Sequence, residues 1–540
     1  MKASDLLVKC LENEGVEIIF GIPGEETLDF MESLRTSSIR FIATRHEQAA
    51  AFMADAYGRL TGRPGVCLAT LGPGAANLLT GVADAYLDKS PLVAITGQAD
   101  LKRIHRESHQ YIDIVEVFRN VTKWNARIDS PEVIPELVRK AFKVALTEKP
   151  GAVHLELPEN VASMEVDAIY ETMIPPIRPR RSSPDRQSLA RAAELVADAR
   201  VPVILAGNGV VRKSAGERLQ RFAELFCIPV VTTFMGKGGI SAESDCCIGT
   251  LGLARDRQIR DVFPRADLII AVGYDLVEYE PKNWNPGLDK KIIHIDFTSS
   301  EVDLHYVPEV EIISDIRETL ELLEEVLSAK KKSECHITMR SDFSSGLDLM
   351  CRADTWPPHP PRIICGIRSV LRPDDILIAD VGTSKLWVAK CYPVYRNNTF
   401  LISNGLASMG IALPAAITAK LVCPDRNVVA VCGDGGFLMN LQDLETACRL
   451  GLNIVIVIFK DNGYNLIKWK AEREFGISHG VSFSNPDFVK LAESFGAIGF
   501  RLGTCSEFDG MLREALTKTV PVIIDVPIDY SENDMIFDLL

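Results

Sequence analysis

The sequence has no uninterrupted apolar run of about 18 residues, the length a membrane-spanning helix requires. Its opening stretch, MKASDLLVKCLENEG, reads as an amphipathic helix with acids in it and lacks the basic-then-apolar layout of an export signal. Positive charge is in deficit, with 59 Lys and Arg against 73 Asp and Glu and a net charge of −14, which argues against nucleic acid as a partner. No two of the 13 cysteines have CxxC spacing, the number is odd, and most sit in apolar segments. They are expected to be reduced thiols of a cytoplasmic protein, neither metal ligands nor disulfides. What remains is ordinary for α/β proteins: 47% apolar and 24% charged residues over 540 positions, enough for three or four separately cored domains.

The most informative stretch is Val431 to Leu466. A buried strand from Asn427 to Cys432 ends in Gly433-Asp434-Gly435-Gly436. Apolar residues at helical spacing follow (Phe437, Leu441, Leu444, Ala447, Leu450), and a second buried strand, Ile454 to Phe459, ends in Lys460-Asp461-Asn462-Gly463. A right-handed crossover sets two such strand ends side by side, at the edge of a parallel sheet where ligands bind. Two carboxylates there, with a carbonyl near Gly463, suit Mg²⁺, which takes few protein ligands and completes its octahedron with phosphate oxygens. Gly435 and Gly436 let backbone N–H groups come close to a diphosphate. Gly-Asp-Gly alone would be no more than a glycine-rich turn; the second acid after a second buried strand gives the pattern its meaning.

Strands alternate with helices along the rest of the chain. Strands are expected at Val16–Phe20, Ile39–Ala43, Gly65–Thr70, Leu92–Thr96 and Ala152–Leu157, then at Val203–Ala206, Val230–Thr233, Leu268–Val272 and Ile292–Ile295, and finally at Ile376–Asp380 and Val522–Val526. This describes an α/β protein of three doubly wound parallel-sheet domains, at 1–173, 186–328 and 358–540. The segment around Ile174 to Arg181 is a proline- and arginine-rich linker, and a charged segment with Lys330, Lys331 and Lys332 precedes the third domain. Glu47 opens a helix with small residues behind it, a position the helix dipole favours in any protein. Thr383 and Ser384 follow a strand and can offer hydroxyls and N–H groups to phosphate oxygens.

The pattern GDG, then an acid or amide 27 residues on in an Asn/Gly turn, resembles the signature of thiamine diphosphate-dependent enzymes. The order IFGIPG, RHEQAAAFMADAYGR, LGPGAANLLTG and SHQYID is similar to the acetolactate synthase group of that family, and the run Gly273-Tyr274-Asp275 with Glu278-Tyr279-Glu280-Pro281 resembles its flavin-free, catabolic-like members. The three domains would then be the pyrimidine-binding, central and diphosphate-binding domains. Asp434, Asp461 and the carbonyl of Gly463 would hold Mg²⁺. Pro23, Gly24, Thr70, Gly72, Asn77, Gly382, Thr383, Ser384, Gly405, Ala407, Met409, Gly433, Gly435, Gly436, Tyr464, Asn465 and Leu466 would line the cofactor, with Met409 wedged between its rings. Glu47 would hydrogen-bond the aminopyrimidine, a task that calls for a desolvated carboxyl of raised pKa. His109 and Gln110 would face the reacting carbon. FAD is not expected, because Tyr274 stands where flavin-containing relatives carry an arginine, and the central domain reads as a spacer.

The resemblance implies decarboxylation of pyruvate and addition of the cofactor-bound enamine to a second pyruvate, giving 2-acetolactate and CO₂. It further implies a homodimer or homotetramer with active sites between subunits. Lys470 replaces the Gln or Trp common in that group; it is either a solvated lysine or a partner for the acceptor's carboxylate. Two other readings stay open: another thiamine diphosphate enzyme (a 2-oxo-acid decarboxylase, an oxidase, or an acyltransferase on oxalyl-CoA or sulfoacetaldehyde), and a noncatalytic nucleotide-binding regulator.

Overall fold

The computed structural model describes residues 1–167, 173–177, 182–252, 262–328 and 350–537. Part of the expected linker (178–181) and the lysine run 330–332 lie outside them. Three six-stranded sheets are present, and every strand pair in them is parallel. The three-sheet α/β architecture expected from the strand–helix alternation is the one observed. The first sheet runs, edge to edge, Arg40–Ala43, Ile18–Gly21, Gly65–Ala69, Leu92–Gln98, Ala152–Pro158, Trp124–Arg127. The second runs Val310–Ile313, Lys291–Asp296, Leu268–Val272, Pro202–Ala206, Val230–Thr233, Cys247–Leu251. The third runs Phe400–Ile402, Ile376–Ala379, Val428–Gly433, Val455–Lys460, Val522–Pro527, Ile498–Arg501.

Interior strands are apolar at nearly every position because helices cover both faces of a parallel sheet. Ile454 to Phe459 has no exposed surface at all. Each sheet has an inner point where the strand order reverses, and there the loops on its two sides part and leave a crevice. In the first sheet it lies between Ile18–Gly21 and Gly65–Ala69, in the second between Pro202–Ala206 and Leu268–Val272, and in the third between Ile376–Ala379 and Val428–Gly433.

By compactness the chain forms two units. One joins Met1–Arg180 with Gly405–Asp425 and Leu438–Leu452; the other joins Arg181–Asn404, Arg426–Phe437 and Asn453–Leu540. In the first unit the helix Glu47–Thr61 presents Ala49, Ala50, Ala51 and Ala54, all fully buried, and the helix Ala412–Val422 brings Ala412, Ala415, Ala416 and Ala419, also buried. Side chains this small let backbones approach closely: the Thr418 hydroxyl donates to Met53 O at 3.1 Å.

Two expectations are corrected. The single helix from Phe437 to Leu450 is broken into Asp434–Met439, a 3₁₀ turn Leu441–Asp443 and Leu444–Arg449. Asn440 and Asp443 spend their side chains elsewhere, on Gly410 O (2.8 Å) and on the N–H of Arg45 (2.9 Å), and such side-chain bonds compete with helix continuation. Cys351 and Cys365 form a disulfide, whereas Cys10, Cys67, Cys423, Cys432, Cys448 and Cys505 are thiols. Fourteen residues of separation gave no hint of the pairing, which depends on the helix Pro360–Val370 turning Cys365 back toward Cys351. Among the described residues no helix is long and apolar enough to cross a membrane.

Candidate active site

At the third sheet's switch point, register pairs Gly433 with Phe459, so the two strands run out together. Asp434 is the first residue of the helix Asp434–Met439 and is almost fully buried. Its Oδ2 accepts the N–H of Asp461 (3.1 Å), the N–H of Asn462 (2.7 Å) and Nδ2 of Asn485 (2.7 Å). Its Oδ1 accepts only the N–H of Gly435, at 2.8 Å. A carboxylate oxygen has about two lone pairs, so Oδ2 is saturated and Oδ1 has room for one more partner. Burial pushes the Asp461 carboxyl up to about 7, and the negative charge of Asp434 adds to that push. Two acids held this close are mutually unfavourable until a cation lies between them, and hard oxygen donors at a strand edge are what Mg²⁺ selects.

The neighbouring loop faces the same crevice. Gly382, with φ of +138°, caps the helix Thr383–Cys391. The Ser384 hydroxyl is buried with no hydrogen-bond partner, and a Cβ built on Gly382 or Gly433 would come within 4.0 and 3.9 Å of it. A buried unsatisfied hydroxyl is costly, so a cradle formed by two glycines around one is a place for an acceptor to enter. Thr383 Oγ1 reaches Asn465 Oδ1 at 3.4 Å, and Asn533 Nδ2 holds that same oxygen at 2.7 Å. Tyr464 and Phe483 lie over Gly435, where a Cβ would sit 2.9 and 3.3 Å from their rings. A Cβ on Gly436 would meet Asp380 at 2.9 Å. Leu466 packs on the core of the third sheet. Lys470, on the helix Asn465–Phe475, is exposed.

In the first unit, His46 caps the helix Glu47–Thr61 by accepting the N–H of Gln48 on Nδ1. Glu47 is 9% exposed, and its Oε2 accepts Nδ2 of Asn77 at 2.9 Å. Gly74 leaves Glu47 Oε1 its space: a Cβ there would be 3.4 Å away. At the first sheet's switch point Gly24 lies against Thr70, where a Cβ would overlap it at 2.3 Å. Pro23 is exposed beside it. Gly72, with φ of +52°, lies under the Gln110 carbonyl, which a Cβ would approach to 2.5 Å. The side chains of His109 and Gln110 are exposed. Gly405 donates its N–H to Asp88 Oδ1, Ala407 has a φ of +56°, and Met409 is half-buried. Thus Gly24, Glu47, Thr70, Gly74 and Asn77 are brought together, as are Gly382, Ser384, Gly433, Asp434 and Asp461.

The switch point of the central sheet is closed by the protein itself. Glu278 sends its carboxyl group to the turn Gly207-Asn208-Gly209, where the N–H of Asn208 donates to both of its oxygens at 3.0 Å, joined by the Thr233 hydroxyl and the N–H of Asp275. Burial, with the adjacent charge of Asp275, pushes Glu278 up to about 8. Tyr274 is buried and donates to Tyr279 O. Neither the Glu278 plug nor Asn485 stands out in the sequence; Asn485 lies in a loop 24 residues past Asp461, and loop composition alone does not say where a loop returns.

These three switch points agree with a comparison against family models. Residues 1–117 match the N-terminal TPP binding domain of thiamine pyrophosphate enzymes, 189–323 their central domain, and 380–526 their C-terminal TPP binding domain. The chain belongs to the thiamine pyrophosphate enzymes. Among curated members of that family it is similar to a probable acetolactate synthase large subunit of Methanocaldococcus jannaschii, at 37% identity over 98% of this chain and 93% of that protein. It is 33% identical to an acetolactate synthase of Bacillus subtilis, over 98% and 94% of the two chains. It is 34% identical to a catabolic acetolactate synthase of Raoultella terrigena, over 99% and 97%. For a thiamine pyrophosphate enzyme the donor set fits the group: paired acids for a cation, and an unpartnered hydroxyl beside it for the diphosphate.

Proposed function

We propose that this enzyme is an acetolactate synthase: two pyruvate anions and one proton become one 2-acetolactate anion and CO₂. The observation that carries the reading is the Asp434–Asp461 pair at adjacent strand ends, in a chain similar end to end to acetolactate synthases. When bound, thiamine diphosphate supplies the carbon nucleophile and the electron sink that let a 2-oxo acid lose CO₂.

The chain's own residues do the rest. Asp434 through Oδ1, Asp461 and the Gly463 carbonyl would hold Mg²⁺, which would supply positive charge for the diphosphate. Ser384, Thr383 and the N–H groups after Gly382 take phosphate oxygens, with Gly433, Gly435 and Gly436 leaving room and Tyr464, Asn465 and Leu466 closing the wall. Pro23, Gly24, Thr70, Gly72 and Asn77 bound the pyrimidine end. Glu47, oriented by Asn77, shares a proton with the ring nitrogen; its burial keeps water from competing for that proton. Gly405, Ala407 and Met409 would line the cofactor. Gln110 and His109 orient the reacting carbonyl, and the Lys470 ammonium takes the acceptor's carboxylate.

The Glu278 plug supports a flavin-free central domain. The enzyme works as a homodimer or homotetramer with sites between subunits, in the cytoplasm. The test is to incubate purified protein with thiamine diphosphate, Mg²⁺ and pyruvate, then assay CO₂ and acetoin after acidification and record the visible spectrum. CO₂ with acetaldehyde in place of acetoin would make it a simple decarboxylase; no CO₂ would end the reading.

A further inference from the structure

The loop that carries Asp461 does not stand alone. Residues 481–485 run back along it as a short antiparallel strap: Tyr464 N–H donates to Val481 O (2.8 Å), Phe483 N–H donates to Asn462 O (3.1 Å), and Gly463 pairs with Ser482. The Phe483 ring meets Tyr464 edge-on at 5.0 Å. The strap ends in Asn485. Its Nδ2 donates to Asp434 Oδ2 (2.7 Å) and to Asn462 Oδ1 (2.9 Å), while its Oδ1 is buried without a hydrogen-bond partner. The orientation of the amide follows from chemistry, because a carboxylate oxygen accepts and only the NH₂ group can face it.

Asp434 Oδ2 receives three donors, and Asn485 is the one side chain among them. We propose that Asn485 is a positioning residue for the divalent cation: as the side-chain donor on Asp434 Oδ2 it fixes the orientation of the carboxylate and so the direction of Oδ1, and through Asn462 it ties the Asp461–Gly463 loop to the same acid. The inference rests on the cation reading given above. A hydrogen bond to a charged group is stronger than a neutral one, and outer partners of metal ligands commonly set affinity by about ten- to a hundredfold. Asn485 fits that description, since it touches the ligand and the ligand's neighbour together.

The experiment measures free Mn²⁺ by electron paramagnetic resonance in the presence of thiamine diphosphate, on the full chain, for wild type, Asn485→Ala and Asn485→Asp. Hydrogen exchange of residues 461–464 is followed in parallel on cation-free and cofactor-free protein. Asn485→Asp keeps the shape and removes both donated hydrogens, so lost packing alone would spare it. The expected result is a Kd for Mn²⁺ raised about ten- to a hundredfold in both variants, with faster exchange in 461–464. Mn²⁺ binding in Asn485→Asp as tight as wild type or tighter, or unchanged exchange, overturns the role of Asn485 while the cation site stands. Failure of wild type itself to bind Mn²⁺ with thiamine diphosphate overturns the cation reading and the inference with it.

Discussion

The central and third sheets each have six parallel strands and a reversal of order between two inner strands, yet their crevices have opposite fates. In the central sheet, Glu278 turns its carboxyl group onto the Asn208 turn and meets the donors there with groups of the same chain. In the third, a serine hydroxyl is left without a partner, one carboxylate oxygen keeps a vacant lone pair, and a second acid is pushed toward neutrality by burial, with its neighbour's charge adding to the push. A shared fold therefore does not distribute function evenly. The crevice that satisfies itself is structural; the one that leaves polar groups wanting is where a ligand restores the balance.

Removing Asp434 attacks the contrast most directly. Asp434→Ala should leave no thiamine diphosphate after dialysis with Mg²⁺ and lower turnover by more than about a hundredfold, the upper figure for losing a mere outer partner of a metal site. Retention of the cofactor in the dialysed variant would mean that the third crevice is no more a binding site than the second. Glu47→Gln should behave differently, retaining the cofactor but losing about 10²- to 10⁴-fold in turnover. Unimpaired turnover there would remove Glu47 from the proton's path.

Smaller effects sharpen the comparison. Ser384→Ala should weaken thiamine diphosphate about ten- to a hundredfold in a cofactor titration while saturating cofactor restores most of the rate; an unchanged titration would show the free hydroxyl to be idle. Glu278→Gln should change little at pH 7, about 1 kcal/mol in urea unfolding. Its signature is in the pH dependence. The wild-type carboxyl, at about 8 when folded, keeps its proton where the unfolded chain, near 4.3, has released it. Stability therefore falls as pH rises between those values and levels off above 8. The Gln variant should lack that decline, and parallel slopes in the two proteins would refute the plug's buried, proton-holding character.

What the sequence disclosed follows a physical rule. The interior strands were readable because both of their faces are buried, which leaves continuous apolar runs such as VIVIF. The strands that escaped notice, Trp124–Arg127, Cys247–Leu251, Val310–Ile313, Phe400–Ile402 and Ile498–Arg501, all lie at sheet edges. There strands are short and often half-exposed, and their composition merges with that of loops. Asp434 and Asp461 could be paired in advance because a crossover between adjacent parallel strands has one hand. Asn485 could not, because nothing in a loop's sequence fixes where it closes. Asn440 and Asp443 misled the helix reading because their tertiary partners, Gly410 and Arg45, are remote in sequence.

The unit that holds Glu47 is finished by segments 405–425 and 438–452, and Thr418 reaches Met53 across 365 positions. During synthesis, then, the part of the Glu47–Thr61 helix that Thr418 reaches must wait for its cover until more than three-quarters of the chain has left the ribosome. Such late closure slows folding and exposes apolar surface meanwhile. An N-terminal fragment made by itself should aggregate, and the nascent chain should be a client of chaperones until its last third emerges.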